Sequence, residues 1–581
     1  MADLGAEGNR PTSFDGVRHS PSTKSKRFLS IFIWLSFAHI FSRLVTTSNY
    51  LVNDDFKMAE LMNGNFTGNF ESNAIFIHPL VGSALSNLNS ISSNIPWFPL
   101  FLVFIQILAF SSLAALDLNR VSYLFLFFFS TVHTAFSTVV PSFTPAAIVV
   151  ASCGVALFIH SIINSSQRFA WIGVLLIILG GLIRFDGMLF ALSMFAVTVA
   201  FVTINKDNRK RMMFRLFAPV FLLVAGTFLI SQTPSICRTQ SECAAWATYN
   251  SFNAIRGDFA GTSRMNLIEG ELGNTSWSMN DFKLFKNYMH IDDETFNLKN
   301  LEQIDDVVPN PSIEQALFSN PIAPLWKVVS SNQDLALFFY PVFAVFVFLS
   351  FRERDRDQSG KLLLTFGVVG WLIATVAVAT IRFPMRIHEP AIISLAILLL
   401  TLSSSTAENQ IPFQIRRDLR NSRRDLKIFL SLLLVLVWFL ASYLTPYSAR
   451  NQSRLSAQNA HFVYLENNFS NARFIVSPGL LTYVDPWSNS KSDLPSKLLY
   501  LSWATSSPHF KAKKEILEID NVYRELVEND STLLIGPRKN AILIAEYLNE
   551  NFGLTAVPIL IGESTSPGEP DLQVWTFRSL D

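Results

Sequence analysis

The sequence predicts a mainly α-helical, polytopic membrane protein with about eleven transmembrane helices, two interfacial helices in its first outer loop, and a C-terminal extracytoplasmic α/β domain. Three observations carry that expectation. Half of the 581 residues are hydrophobic and 16% are charged, with 52 Phe gathered mostly in long apolar runs. Basic residues collect in alternate short loops. Beyond residue 446 the long apolar runs stop, and strand-like segments alternate with helix-like ones. A net charge of +1 gives no reason to expect a nucleic-acid partner, and three Cys exclude both a disulfide scaffold and a cysteine-rich metal site.

Residues 1–27 form a polar tail ending in Lys24, Lys26 and Arg27, before an apolar run with no small-residue cleavage pattern, so the first span is expected to be retained. At about 20 apolar residues per crossing, spans are expected near 28–47, 96–116, 121–140, 145–163, 169–184, 187–204, 214–231, 335–351, 362–381, 389–403 and 428–446. With the amino terminus inside, the cytoplasmic loops collect Arg120, Arg168, Lys206 to Arg215, Arg352 to Lys361 and Arg416 to Lys427. An odd number of spans then leaves the carboxyl terminus outside.

Residues 28–446 therefore read as one transmembrane unit with long outer loops at 48–95 and 232–334. In the first loop, Asn53 is a good N-cap, and Asp54 and Asp55 fall in the first turn of a short surface helix, where the helix dipole favours negative charge. Phe76, Ile77, Leu80, Val81, Ala84, Leu85 and Leu88 mark a second amphipathic helix, with His78 placed to cap it or to meet a headgroup. The run 169–204 is apolar apart from R-F-D-G at 184–187. At the helical rise it is about 54 Å long, too long for one span and slightly short for two. Its turn is expected slightly recessed, holding Arg184 and Asp186, and a charge at that depth needs a counterion or a watery cavity.

The loop 232–334 carries Cys237 and Cys243, close enough to bridge in an oxidising compartment, and the run Y-N-S-F-N-A-I-R-G-D at 249–258, whose Arg256 and Asp258 are further candidates for substrate contact. T-I-R-F-P-M-R-I-H-E-P at 380–390 places Arg382, Arg386, His388 and Glu389 within eight residues of an outer turn. Outer arginines run against the positive-inside tendency, and a bidentate guanidinium suits phosphate. In residues 447–581, strands are expected at Arg473–Ser477, Ser531–Ile535, Ala556–Ile561 and Leu572–Phe577, with helices at Lys511–Leu526 and Lys539–Phe552. No glycine-rich phosphate loop opens either helix.

Taken together, N-D-D-F-K-M-A-E-L-M-N-G, R-F-D-G, the R-x-P-x-R-I-x-x-P pattern at 382–390, and W-S-M-N-D-F-K-L-F-K-N-Y at 277–288 resemble bacterial members of the C-type membrane glycosyltransferases. That superfamily takes sugars from polyprenyl-phosphate carriers on the non-cytoplasmic side, so the resemblance implies a bacterial plasma-membrane enzyme and a glycan, lipid or protein acceptor. It also implies that Asp54 or Asp55 is the general base, or holds the acceptor or a divalent cation (Mg or Mn) if one is used. The donor phosphate then falls to Arg184, Arg382 and Arg386, and further substrate contacts to Lys57, His78, Asp186 and His388.

The physical logic is independent of the resemblance. Nucleotide sugars are cytosolic, so an outer-face transferase needs a donor with its own membrane anchor. A transporter or flippase, the first alternative, should show ionisable groups at mid-membrane and matched halves. The spans here are nearly free of central charge, with His39 and Arg43 in the first and His133 in the third as exceptions. A polymerase of lipid-linked glycans, the other alternative, is expected to depend on arginines in large outer loops.

Overall fold

The computed structural model describes residues 21–51, 53–116, 118, 120–164, 166–193, 209–232, 237, 239–259, 264–308, 385–404, 431, 434, 442, 444–488, 494–566 and 571–580. In chain order the helices before the terminal lobe are α1 (Pro21–Val45), α2 (Asn53–Met62), α3 (Pro79–Ile91), α4 (Trp97–Ala114), α5 (Arg120–Val139), α6 (Phe143–Asn164), α7 (Gln167–Ile183), α8 (Arg209–Gln232), α9 (Gln240–Phe259), α10 (Arg264–Glu271), α11 (Met279–Lys286), α12 (Leu298–Val307) and α13 (Met385–Ser404). A bilayer offers no water to backbone groups, so an apolar run that crosses one must bond internally as a helix. Among the described residues, segments of α1, α4, α5 and α6 are long and apolar enough to do so. Shorter apolar stretches lie in α7, α8 and α13. The expected spans at 335–351 and 362–381 lie outside the described residues, as do most of those at 187–204 and 428–446.

Helix α6 is the axis of the bundle, with every residue of Phe143–Ile162 enclosed by its neighbours or by other chain. Small residues bring α7 against it. A Cβ on Gly154 would lie 2.6 Å from the Gly173 carbonyl, and one on Gly173 would lie 2.7 Å from the Gly154 carbonyl. Backbones that close leave no room for a side chain, which is how small residues drive helix pairing where the hydrophobic effect is absent. Helix α1 instead lies on the outside, showing Ile33, Phe37, Ile40 and Leu44. It is pinned to α5 by Trp34 Nε1 donating to Thr131 Oγ1 at 2.9 Å and by His39 meeting Thr138 Oγ1 at 2.8 Å.

The loop between α1 and α4 holds both expected helices, but they differ from a surface pair. Helix α3 is amphipathic, with Val81 and Leu85 buried and Leu80 and Ile91 exposed. Helix α2 is covered: from Asp55 to Met62 every residue is buried. Its polar face is satisfied by protein rather than by headgroups. Lys57 Nζ donates to Glu60 Oε2 at 2.7 Å and sits 3.8 Å above the ring of Tyr500, far down the chain.

That covering comes from the terminal lobe, which the long helix α14 (Thr445–Asn468) enters. Next come β1 (Arg473–Val476), β2 (Leu498–Tyr500), α15 (Pro508–Ile516), α16 (Val522–Glu528), β3 (Thr532–Ile535), α17 (Arg538–Phe552), β4 (Ala556–Ser564) and β5 (Leu572–Ser579). The mixed sheet runs β2-β1-β3-β5-β4, with β2, β1 and β3 parallel and β5 antiparallel to both neighbours. The continuous apolar runs of β1 and β3 suit strands buried on both faces. Where one helix was expected over Lys511–Leu526 there are two, broken by Glu518 at φ 54°. Strand β2 is three residues long, too short to show alternation in sequence.

The carboxyl ends of β1 and β2 point at the bundle. After β1, the Val484 amide donates to Asn49 Oδ1 (3.2 Å), Asp485 pairs with Arg43 (3.0 Å) and Trp487 Nε1 donates to the Thr138 carbonyl (2.9 Å). After β2, Trp503 packs on Phe76 at 4.6 Å. The loop after α8 joins the same body. Cys237 is disulfide-bonded to Cys243, Asn280 Nδ2 donates to the Leu543 carbonyl at 3.1 Å, and the Tyr547 hydroxyl donates to Asp292 Oδ2 at 2.6 Å.

Candidate functional site

The first turn of α6 brings together residues from three distant segments. Its leading amide, Phe143 N–H, donates to Asp55 Oδ1 at 2.9 Å. The next residue, Thr144, accepts at Oγ1 from Arg184 Nη1 at 3.0 Å. A carboxylate on a helix N-terminus is favoured by the orphan amides and by the dipole together. Arg184 reaches this turn because it is the extended residue that ends α7, before helix resumes at 185. Its guanidinium lies 5.2 Å from the ring centre of Phe143 and 5.5 Å from that of Phe76. Asp186 Oδ2 is 3.8 Å from Arg184 Nε, but its side chain is 81% exposed, so the pair is loose.

The two acids have different surroundings. Asp55 is fully buried, whereas Asp54 is half-buried. Asp54 lies in the neighbourhood of Tyr249 and Arg256 on α9. Burial pushes the Tyr249 phenol well up, the Arg256 charge pulls it down and the Asp54 charge pushes it up. Arg256 itself is braced by Asn253 Oδ1 at 2.7 and 3.2 Å. Beside Phe76 a cleft opens, lined by Asn73, His78, Gly181, Phe185, Trp246 and Asn250 among others. The first loop, the end of α7 and α9 thus border one hollow.

The other expected residues are placed as follows. Lys57 is buried in its pair with Glu60, and burial lowers its pKa. His78 caps α3, its Nδ1 accepting from the Leu80 amide at 3.2 Å. Arg382 lies outside the described residues; Arg386 and His388 are described only as backbone in α13. Near Asp54 and Asp55 the described residues gather no set of three acidic, His or Cys side chains that could hold a metal ion.

Two features escaped sequence reasoning. Tyr249 stands seven residues before Arg256, two helical turns, hence on the same face; the run 249–258 held that signal. Inside the bundle, His133 Nδ1 meets Glu389 Oε1 at 2.6 Å and its Nε2 meets Gln106 Oε1. Gln106 Nε2 donates to the Leu102 carbonyl at 2.7 Å, which turns its oxygen toward His133. Nε2 of the imidazole is thereby the donor to Gln106. Read from sequence, His133 was an isolated polar residue, because its partners lie on α4 and α13.

Comparison of the chain with protein-family models, with curated proteins and with solved structures gives no match. The class therefore rests on geometry: a mainly helical protein whose long apolar helices mark it as a membrane protein, with a mixed five-stranded lobe seated over one end of the bundle.

Proposed function

We propose that the protein is an inverting membrane glycosyltransferase that moves a sugar from a polyprenyl-phosphate donor to an extracytoplasmic acceptor, with Asp54 as general base. About eleven spans, a cytoplasmic amino terminus and an outward-facing lobe in a bacterial plasma membrane belong to this reading. The acceptor hydroxyl gives its proton to Asp54 as its oxygen bonds the anomeric carbon. The bond from that carbon to the phosphate oxygen breaks, and the phosphate leaves with the electron pair. Arg184, joined by Arg382 and Arg386 from the other turn, stabilises the charge the phosphate gains. Asp55 holds the first turn of α6 in place and positions Arg184 through it.

The observation that carries the reading is the convergence of Asp55 and Arg184 on consecutive residues of α6, 2.9 and 3.0 Å away, with half-buried Asp54 next in the chain. The test is transfer of radiolabelled sugar from a panel of polyprenyl-phosphate hexoses and pentoses, using protein in liposomes. Removing a general base is expected to lower the rate by about 10²–10⁴-fold, so Asp54→Asn should fall in that range. Full activity of Asp54→Asn would remove it from the chemistry.

The His133–Glu389 pair favours a second reading, a transporter of lipid-linked glycans, because ionisable groups inside a bundle commonly mark a translocation path. If a fluorescent polyprenyl-linked glycan crosses the bilayer with wild-type protein and not with Glu389→Gln, while no sugar is transferred, this second reading replaces the first.

A further inference from the structure

The terminal sheet has a switch point between β1 and β3 that the transferase reading leaves unused and on which that reading does not depend. The chain leaving β1 turns toward β2, whereas the chain leaving β3 enters α17 and continues toward β4 and β5 on the opposite side. Adjacent parallel strands whose connections part this way leave an opening at their carboxyl ends, where open α/β sheets bind ligands. Strand β1 is followed there by Ser477 and strand β3 by Gly536. A Cβ on Gly536 would overlap Ser477 Oγ and stand 3.9 Å from Asn540 Cβ. The missing side chain is what lets the serine hydroxyl reach the mouth of α17.

Ser477 is 1% exposed and Asn540 6%, yet among the described residues neither Ser477 Oγ nor Asn540 Oδ1 has a hydrogen-bond partner. Asn540 is orphaned for a local reason. At the third helical position its oxygen would reach back to the N-cap amide, and the N-cap is Pro537, which has none. The Arg538 amide is already taken by Gln573 Oε1 at 3.2 Å. What remains for a ligand is the positive end of a 15-residue helix, the hydroxyl, the amide oxygen, and exposed Arg538 and Lys539 beside exposed Gly479. A buried donor next to a buried acceptor suits a molecule offering an anionic oxygen and a hydroxyl side by side, which an acidic sugar does on separate, well-spaced atoms.

We propose that this switch point binds the oxyanion of an acidic saccharide, a phosphate ester or a uronate carboxylate, with Ser477 Oγ donating to the anion and Asn540 Oδ1 accepting from a neighbouring sugar hydroxyl. Titration calorimetry on the full-length protein in detergent, with glucose 1-phosphate, glucuronate, glucose and inorganic phosphate, tests it. Saturable binding of at least one of the two acids, tighter than glucose and inorganic phosphate, is the expected result, and the tighter acid identifies the source of the anion. Each hydrogen bond to a charged or buried group is worth about tenfold, so Ser477→Ala and Asn540→Ala should each weaken binding by that factor. Lys539→Gln, on the surface and free of packing consequences, should weaken the acids and leave glucose unchanged. The proposal is overturned if neither acid saturates below about 10 mM, well weaker than the millimolar affinities of simple sugar sites. Glucose binding as tightly as the acids, or acid binding that all three variants leave unchanged, overturns it equally.

Discussion

A carboxylate that accepts a buried helix amide and a half-buried one beside it respond differently when they are removed. Asp55→Ala strands the Phe143 amide, which is enclosed with it, and an unsatisfied buried donor costs about 1–3 kcal/mol. Asp54→Ala removes a half-buried group and leaves that bond intact. Thermal unfolding in detergent should therefore show a lowered midpoint for Asp55→Ala and an unchanged one for Asp54→Ala, while both lose transfer activity. Equal midpoints would mean that Asp55 does not hold α6. At this scale the sequence made the acids legible as a pair in a first turn, but not their division of labour. That division depends on Phe143, 88 positions away in the chain, and no local pattern connects the two. Arg184 was legible because a charge interrupting 36 apolar positions violates the composition around it. The His133–Glu389 pair was not, because each member alone looks like an ordinary polar residue.

Among the elements, the pair α6 and α7 decides whether Arg184 can reach Thr144. Gly154 and Gly173 approach each other's carbonyls so closely that a side chain at either must push the helices apart. Gly173→Leu is expected to cost about 1–3 kcal/mol by overpacking, and to lower transfer more than stability because Arg184 swings away from α6. A variant with lowered midpoint and full activity would separate helix pairing from the site. The apolar runs made these helices visible in sequence, and their glycines were visible too, though which glycines face each other depends on the rotation of both helices. Helix α2 was misplaced for a related reason. It was expected at the membrane surface with Lys57 open to substrate, whereas the structure buries the helix and pairs Lys57 with Glu60 under an aromatic ring contributed by β2.

Contacts between the α1–α4 loop and the terminal lobe link the two ends of the chain, and they carry a pH signature. Burial pushes Lys513 of α15 down to about 8 from 10.5, with Glu60 pulling it up and Lys57 pushing it further down. Unfolded, the same lysine keeps its proton until about 10.5. Between the two values the unfolded chain binds more protons, so stability rises with pH across that window. The unfolding midpoint should climb from pH 8 to pH 10, and Lys513→Met should flatten the climb; a slope that survives the substitution assigns it elsewhere. The alternation of strands and helices after residue 446 was legible, yet the seating of the lobe on α2 was not. It rests on single side chains such as Tyr500, Trp503 and His509, whose partners lie in segments made long before.

That interval has a consequence for biogenesis. His509 donates to the Asn73 carbonyl from 436 positions further along the chain, and Tyr500 covers Lys57 over a similar distance. At ribosomal speeds of 5–20 residues per second, the early segment waits about 20–90 s for its lid to be translated. During that wait Phe56, Met58, Leu61 and Met62 of α2 lack the part of their cover that the terminal lobe supplies, and a nascent chain released early carries the acids without their roof. Maturation of this protein is thus a matter of timing, because the first segment stays incompletely covered until the last one arrives.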